Sequence, residues 1–281
     1  MVRRSRLVIV AVTAFLVCTG FGSGERLFAP SADLWERWQA NDPQNGSVID
    51  HQSWDRFLKK YVVAGKDGLN LVRYRAVTNM DRQQLDGYIA SLTSLSIRKF
   101  GRREQLAYWI NLYNALTVKV VLDQYPVKSI RDIDISPGFF ADGPWGRKLV
   151  AVEGEKISLN DIEHRILRPI WRDNRIHYAV NCASIGCPNL RTSAYTGATV
   201  EAMLEEAARG YINSPRGVSI EGGAVTVSKI YDWFIGDFGH DEKTVLAHIK
   251  KYAAPALRKQ VSAIGKIEDV TYDWRLNEVA N

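Results

Sequence analysis

The sequence is poor in cysteine and in dense positive charge, and each shortage removes a class of function. There are three cysteines in 281 residues, and no second cysteine pair of the kind a structural zinc site would use. There is no fixed-period repeat, no low-complexity tract and no long linker, so neither a solenoid nor a disordered scaffold is indicated. No cluster of lysine and arginine stands out, although the chain carries 37 basic and 31 acidic residues for a net charge of +6. Without the three arginines among residues 1–24, 34 basic residues face 31 acidic ones, a net of +3. A balance so weak and so evenly spread points away from nucleic acid. Nothing in the pattern calls for a cofactor or a resident metal.

What is present begins with a leader. Arg3, Arg4 and Arg6 precede an apolar run, Leu7 to Val17, and small residues follow at Thr19, Gly20, Gly22, Ser23 and Gly24. That is the layout of a secretory signal. The run falls short of the roughly 20 residues of a membrane span, so residues 1–24 read as a signal peptide or an uncleaved N-terminal anchor, the chain's one expected link to a membrane. The protein is expected to be exported, to the periplasm or beyond. If Cys18 leaves with the leader, Cys182 and Cys187 remain, in a compartment where thiols tend to oxidise.

The rest is ordinary globular material, 46% apolar and 24% charged, enough for a substantial core. Residues 25–49 read as an N-terminal extension and 50–277 as a single α+β domain. Helical spacing is expected over 31–39, 51–62, 80–95, 158–167, 199–211, 229–238 and 242–253. Hairpins are expected around Glu153-Gly154-Glu155 and Glu221-Gly222-Gly223, and a last strand over 267–276. His51 reads as a surface residue at a helix start, and Ser158 with Asp161 as a capping pair. The segment 104–124 is apolar on nearly every face, the mark of a buried central helix, here expected to pack on a small mixed or antiparallel sheet. Its exceptions, Glu104, Asn111 and Asn114, share an arc of roughly 80°. They either tie down neighbouring backbone or line a site. The loop 136–145 carries three aromatics and reads as pinned by them.

The chemistry concentrates in residues 175–190, RIHYAVNCASIGCPNL. Ile176 to Val180 reads as a strand that puts His177, Ala179 and Asn181 on one face and ends in a small-residue turn. Three readings fit. In the first, Cys182 or Cys187 is a nucleophile, His177 its base and Glu104, Asn111 or Asn114 the orienting group, with the amides of residues 183–186 as oxyanion donors. Spacing alone favours Cys187. In the second, Cys182 and Cys187 form a disulfide, either structural or redox-active. In the third, His177, Cys182, Cys187 and His164 hold zinc.

Five motifs in order, YWINLYNAL at 108–116, YPVKSIRDI at 125–133, SLNDIEHRILR at 158–168, HYAVNCASIGCPNLR at 177–191 and YDWRLN at 272–277, resemble the domain-of-unknown-function family 547, over roughly residues 50–277. The resemblance implies that the family's recurrent polar positions fall at Glu104, Asn111, Asn114, Glu163, His164, Arg168, His177, Cys182, Ser184 and Cys187. Likeness to papain-like or transglutaminase-like thiol enzymes is looser: these place the nucleophile at the start of the central helix, where this chain has Arg103-Glu104. The expected activity is a Cys–His hydrolase or acyltransferase acting on amide, peptide or ester bonds of an unidentified cell-envelope substrate or protein. The alternative is a non-catalytic envelope binding or scaffold domain with a Cys182–Cys187 bridge.

Overall fold

The computed structural model describes residues 21, 26, 29–65, 67–137 and 143–280. The leader expected over 1–24, Phe21 apart, lies outside the described residues, as do Cys18 and the tip of the 136–145 loop. Among the described residues no helix is long and apolar enough to cross a membrane. The chain is 49% helical with 11% strand in small sheets, an α+β domain.

The first helices are α1 (Gln52–Tyr61), α2 (Asn79–Thr93) and α3 (Arg102–Gln124). Strands β1 (Val62–Ala64) and β2 (Asn70–Val72) pair antiparallel between α1 and α2. Every residue of α3 from Gln105 to Val118 is buried, as its all-round apolar character requires. Its packing partners are helices, α2, a π-helix at Asp161–Leu167 and α5 (Val200–Ile212). The sheets are small, with strands of three to five residues against the 23 of α3.

Strands β3 (Val150–Val152) and β4 (Glu155–Ile157) make the first expected hairpin. The π-helix then leads into α4 (Arg168–Trp171). Ser158 and Asp161 close on each other as expected: the Asp161 carboxylate accepts the Ser158 amide at 2.8 Å, and Ser158 Oγ accepts the Asp161 amide at 3.2 Å. The wider π turn shifts the helical hydrogen bonds. The carbonyls of His164 and Arg165 accept the amides of Asp33 and Trp35, both at 2.9 Å. This strap carries Trp38 into the core.

The strand expected at 176–180 is a 3-10 helix, Asn174–Tyr178. Asp173 decides it: its side chain accepts the Arg175 amide at 2.9 Å and caps a helical turn. The second hairpin, β5 (Val218–Glu221) and β6 (Ala224–Ser228), is joined in parallel by β7 (Asp269–Thr271), with Val227 facing both Val218 and Val270. Between them come α6 (Ile230–Trp233), a 3-10 turn at Ile235–Phe238, α7 (Glu242–Tyr252) and α8 (Pro255–Ile264). The last strand is much shorter than its apolar pattern suggested, and α8 was not anticipated.

Buried side chains fall into two apolar clusters. One surrounds α3 and the π-helix; the other joins the mixed sheet to α7 and α8. A cavity of about 470 Å³ is lined by residues of both, among them Tyr113 and Val180 from the first side, and Ile230, Phe234 and Tyr272 from the second.

Candidate active site

Residues 181–189 form a loop held on every side. Asn181 Oδ1 accepts the Ala183 amide at 2.9 Å and its Nδ2 donates to the Pro188 carbonyl at 2.6 Å. Ala183 thereby takes a left-handed conformation, φ 59°, uncommon for a residue with a Cβ. Tyr211 donates to the Gly186 carbonyl at 2.6 Å, and Arg216 to those of Ile185 at 3.2 Å and Cys187 at 2.5 Å. Gly186 lies so close to the C-terminal segment that an added Cβ would sit 2.7 Å from the Asp273 nitrogen.

The expected oxyanion donors are mostly consumed by this clamping. The Ala183 amide goes to Asn181, that of Ile185 to Arg275 and that of Gly186 to Asp273, the last two at 2.8 Å. The reason is topological: the loop pairs with the C-terminal segment, through a bridge between Ser184 and Leu276.

The loop sets both thiols against each other beside the cavity. Cys182 Sγ and Cys187 Sγ are 2.9 Å apart, and both cysteines are free. A disulfide would need roughly 2.05 Å, so the bridge that the spacing allowed is not formed. Cys182 is partly exposed, whereas Cys187 is buried at 4%. That reverses the preference for Cys187 drawn from spacing.

The surroundings also separate the two sulfurs. Around Cys182 Sγ stand the Tyr272 hydroxyl at 3.0 Å, the Ser184 hydroxyl at 3.3 Å and the Cys187 thiol. Cys187 Sγ accepts the Cys182 amide at 2.9 Å and donates to the Val180 carbonyl at 3.8 Å. Burial raises both thiols, but at Cys182 the hydrogen bonds with Cys187, Ser184 and Tyr272 prevail and lower it from the ordinary thiol value. Cys187 is pushed well above that range by burial and by its neighbour's charge. Tyr272, raised by burial and by the sulfurs, stays a phenol and keeps its proton to donate.

His177 lines the same cavity. Its Nε2 is 2.6 Å from Asp237 Oδ2, its Nδ1 is 3.9 Å from Glu163 Oε1, and its ring stacks on Phe234 at 4.5 Å between centroids. Arg168 Nε donates to the same Asp237 oxygen at 2.6 Å and its guanidinium stands over the Phe234 ring. Burial would raise the Asp237 carboxyl, but its bonds to His177 and Arg168 outweigh that and hold it far below the carboxylate range. Arg168 also donates to His164 Nδ1 at 2.9 Å. Burial, aided by this cation, lowers His164 to about 4, so it is neutral near pH 7. Glu163 accepts from the Tyr113 hydroxyl.

The polar stripe of α3 does not reach this cavity. Glu104, expected to orient the imidazole, accepts the Ile49 amide at 3.1 Å and rests on Gly197, where a Cβ would come within 2.0 Å of its carboxylate. It sits at the start of α3, two or three turns from the level of the site. Asn111 spends its amide on the Tyr195 backbone, donating at 2.8 Å and accepting at 3.1 Å. Asn114 donates to the Ala179 carbonyl at 2.9 Å and accepts the Asn181 amide at 2.8 Å. These amides are not cavity walls; Asn114 instead anchors the approach to Cys182.

Asp237 and Tyr272 were not foreseen. Asp237 lies 60 residues from His177, and a lone aspartate in an aromatic segment carries no spacing signal. Tyr272 stood inside the YDWRLN motif without a role. His51, expected at the surface, is buried at 4% and bonded through Nδ1 to Tyr88 at 2.7 Å. The zinc reading finds no geometry: among the described residues no three His, Cys, Asp or Glu side chains group so as to hold a metal ion.

With this arrangement in view, one comparison gives a match. Residues 97–212 match the family model described as "Protein of unknown function, DUF547", the family that the sequence motifs resemble. That segment carries α3, the π-helix and the cysteine loop, while Asp237 and Tyr272 come from beyond it. No curated protein and no solved structure matches the chain.

Proposed function

We propose that this protein is a thiol-dependent acyl-transfer enzyme, a hydrolase or acyltransferase of amide, peptide or ester bonds, with Cys182 as nucleophile. The observation that carries the reading is the Cys182 sulfur in contact with the Tyr272 and Ser184 hydroxyls, at the edge of a cavity that His177 also lines. Hydrogen bonds lower the pKa of this sulfur and make it the readier nucleophile of the two thiols. His177 serves as base in the attack and as acid in the collapse.

Cys182 sulfur attacks the carbonyl carbon and the charge passes to the carbonyl oxygen. His177 takes the Cys182 proton as the carbon–sulfur bond forms and, as the tetrahedral adduct collapses, gives it to the departing nitrogen or oxygen, leaving a thioester on Cys182. Water or an acceptor alcohol or amine, losing a proton to His177, then releases the acyl group. Asp237 fixes the ring and balances its charge. Trp145, Trp233, Phe234 and Trp274 give the cavity an apolar, aromatic wall, and its volume suits a drug-sized group. This supports an apolar or aromatic acyl portion. The basic-then-apolar start at Arg3–Val17 supports action in the cell envelope.

The test uses p-nitrophenyl butyrate, its thioester and its anilide, with intact mass as a second readout. The expected result is an acyl adduct on Cys182, and turnover that falls about 100-fold in Asp237→Asn, within the usual span for loss of acid–base support. The reading is overturned if no substrate acylates Cys182, or if Cys182→Ala retains the turnover.

A further inference from the structure

The proposed acyl-transfer chemistry uses one sulfur and leaves Cys187 without a task, yet the fold holds the second thiol against the first. We propose that Cys182 and Cys187 form a reversible dithiol oxidation site, whose oxidant is a small hydroperoxide entering the cavity.

Three observations carry this. The sulfurs are already in contact at 2.9 Å, so bonding requires a movement of less than about 1 Å to the roughly 2.05 Å of a disulfide. The exposure is asymmetric in the useful sense. Both cysteines border the cavity, but Cys182 is partly exposed and touches the Tyr272 and Ser184 hydroxyls, while Cys187 is buried at 4%. An accessible thiolate with a resolving thiol beside it is the arrangement in which sulfenic acid forms and is then captured. The backbone cannot part the pair easily, because Asn181, Tyr211 and Arg216 pin the loop between and around them.

The Cys182 thiolate attacks the terminal oxygen of the hydroperoxide. The O–O bond breaks, the alkoxide leaves and takes a proton from solvent as the alcohol, and sulfur is oxidised by two electrons to the sulfenic acid. Cys187 sulfur then attacks Cys182 sulfur. The S–S bond forms, the S–O bond breaks, and the departing hydroxide leaves as water with the Cys187 proton. An external dithiol returns two electrons and two protons. Oxidation removes the acyl nucleophile, and reduction restores it.

The experiment treats the reduced full-length protein with tert-butyl hydroperoxide and reads intact mass and thiol content, with dimedone as a sulfenic-acid trap. Wild type should lose two hydrogens and both alkylatable thiols of the pair, and dithiothreitol should return them. Cys187→Ser and Cys187→Ala should instead gain one oxygen and a dimedone adduct on Cys182. Two results overturn the proposal: a wild type that keeps both thiols under peroxide, or a bridge already complete without peroxide that native protein does not release to dithiothreitol. Neither depends on ester turnover. Acylation of Cys182 with no oxidation leaves the acyl-transfer reading standing, and oxidation with no acylation leaves only the redox site.

Discussion

The polar residues of α3 and those at the cavity use their atoms differently. Asn111 and Asn114 are buried at 0% and 3%, and each closes its amide on the backbone of one neighbouring segment. They are joints. Cys182, Ser184 and Tyr272 close on one another, as do His177 and Asp237, and Cys182, Tyr272 and His177 line the cavity. Side chains that satisfy each other at a cavity can exchange protons with a guest, whereas those locked to backbone cannot. Burial alone does not tell a joint from a site; the partner does.

The largest effects should separate the two groups outright. Cys182→Ser should abolish thiol-dependent turnover, a loss of at least ~1,000-fold, with a urea midpoint close to wild type. Asn114→Ala should do the reverse. It orphans the Ala179 carbonyl and the Asn181 amide, each costing about 1–3 kcal/mol when buried. A loss of roughly 3 kcal/mol in urea unfolding is expected, with folded protein that still alkylates at Cys182. If Asn114→Ala instead kept full stability and lost the thiol chemistry, the distinction between joints and site would fail.

A smaller effect comes from pH. His51, His164 and His248 are each lowered to about 4, chiefly by burial. Between pH 6.5 and 4 the unfolded chain therefore binds protons that the folded chain refuses. Stability should rise with pH through that window and fall on acidification, by up to about 1.4 kcal/mol per pH unit for each histidine. Denaturant midpoints at pH 7, 6 and 5 read this directly. His164→Asn should flatten the slope by one histidine's share.

The smallest effect belongs to Glu104. It joins the start of α3 to Ile49 and has no bond to His177. Glu104→Gln keeps an acceptor for that amide, so a cost below about 1 kcal/mol and unchanged thiol reactivity are expected. A large loss of turnover in this variant would restore it to the site.

What the sequence made legible follows a physical line. Periodicity exposed the amphipathic helices and the all-apolar α3, because burial is written along one element at a time. Gly154 and Gly222 marked the two hairpins, since their positive φ values are turn requirements. The cysteine loop was visible as a chemical oddity. The partners of its groups were not, because Asp237 and Tyr272 arrive from distant segments that only packing brings in. The 176–180 strand failed for a local reason: alternation of apolar residues is also what a short helix shows when it is buried on two sides. Here Ile176 enters one cluster and Tyr178 the other. The Asp173 cap was the overlooked signal.

The most direct test of the central claim is the pH dependence of Cys182 alkylation by iodoacetamide, followed by peptide mass in wild type and Tyr272→Phe. The account predicts a midpoint below the usual thiol value of about 8.5, shifted upward when the Tyr272 hydroxyl is removed. A midpoint at or above that value in wild type, unmoved in Tyr272→Phe, would contradict it.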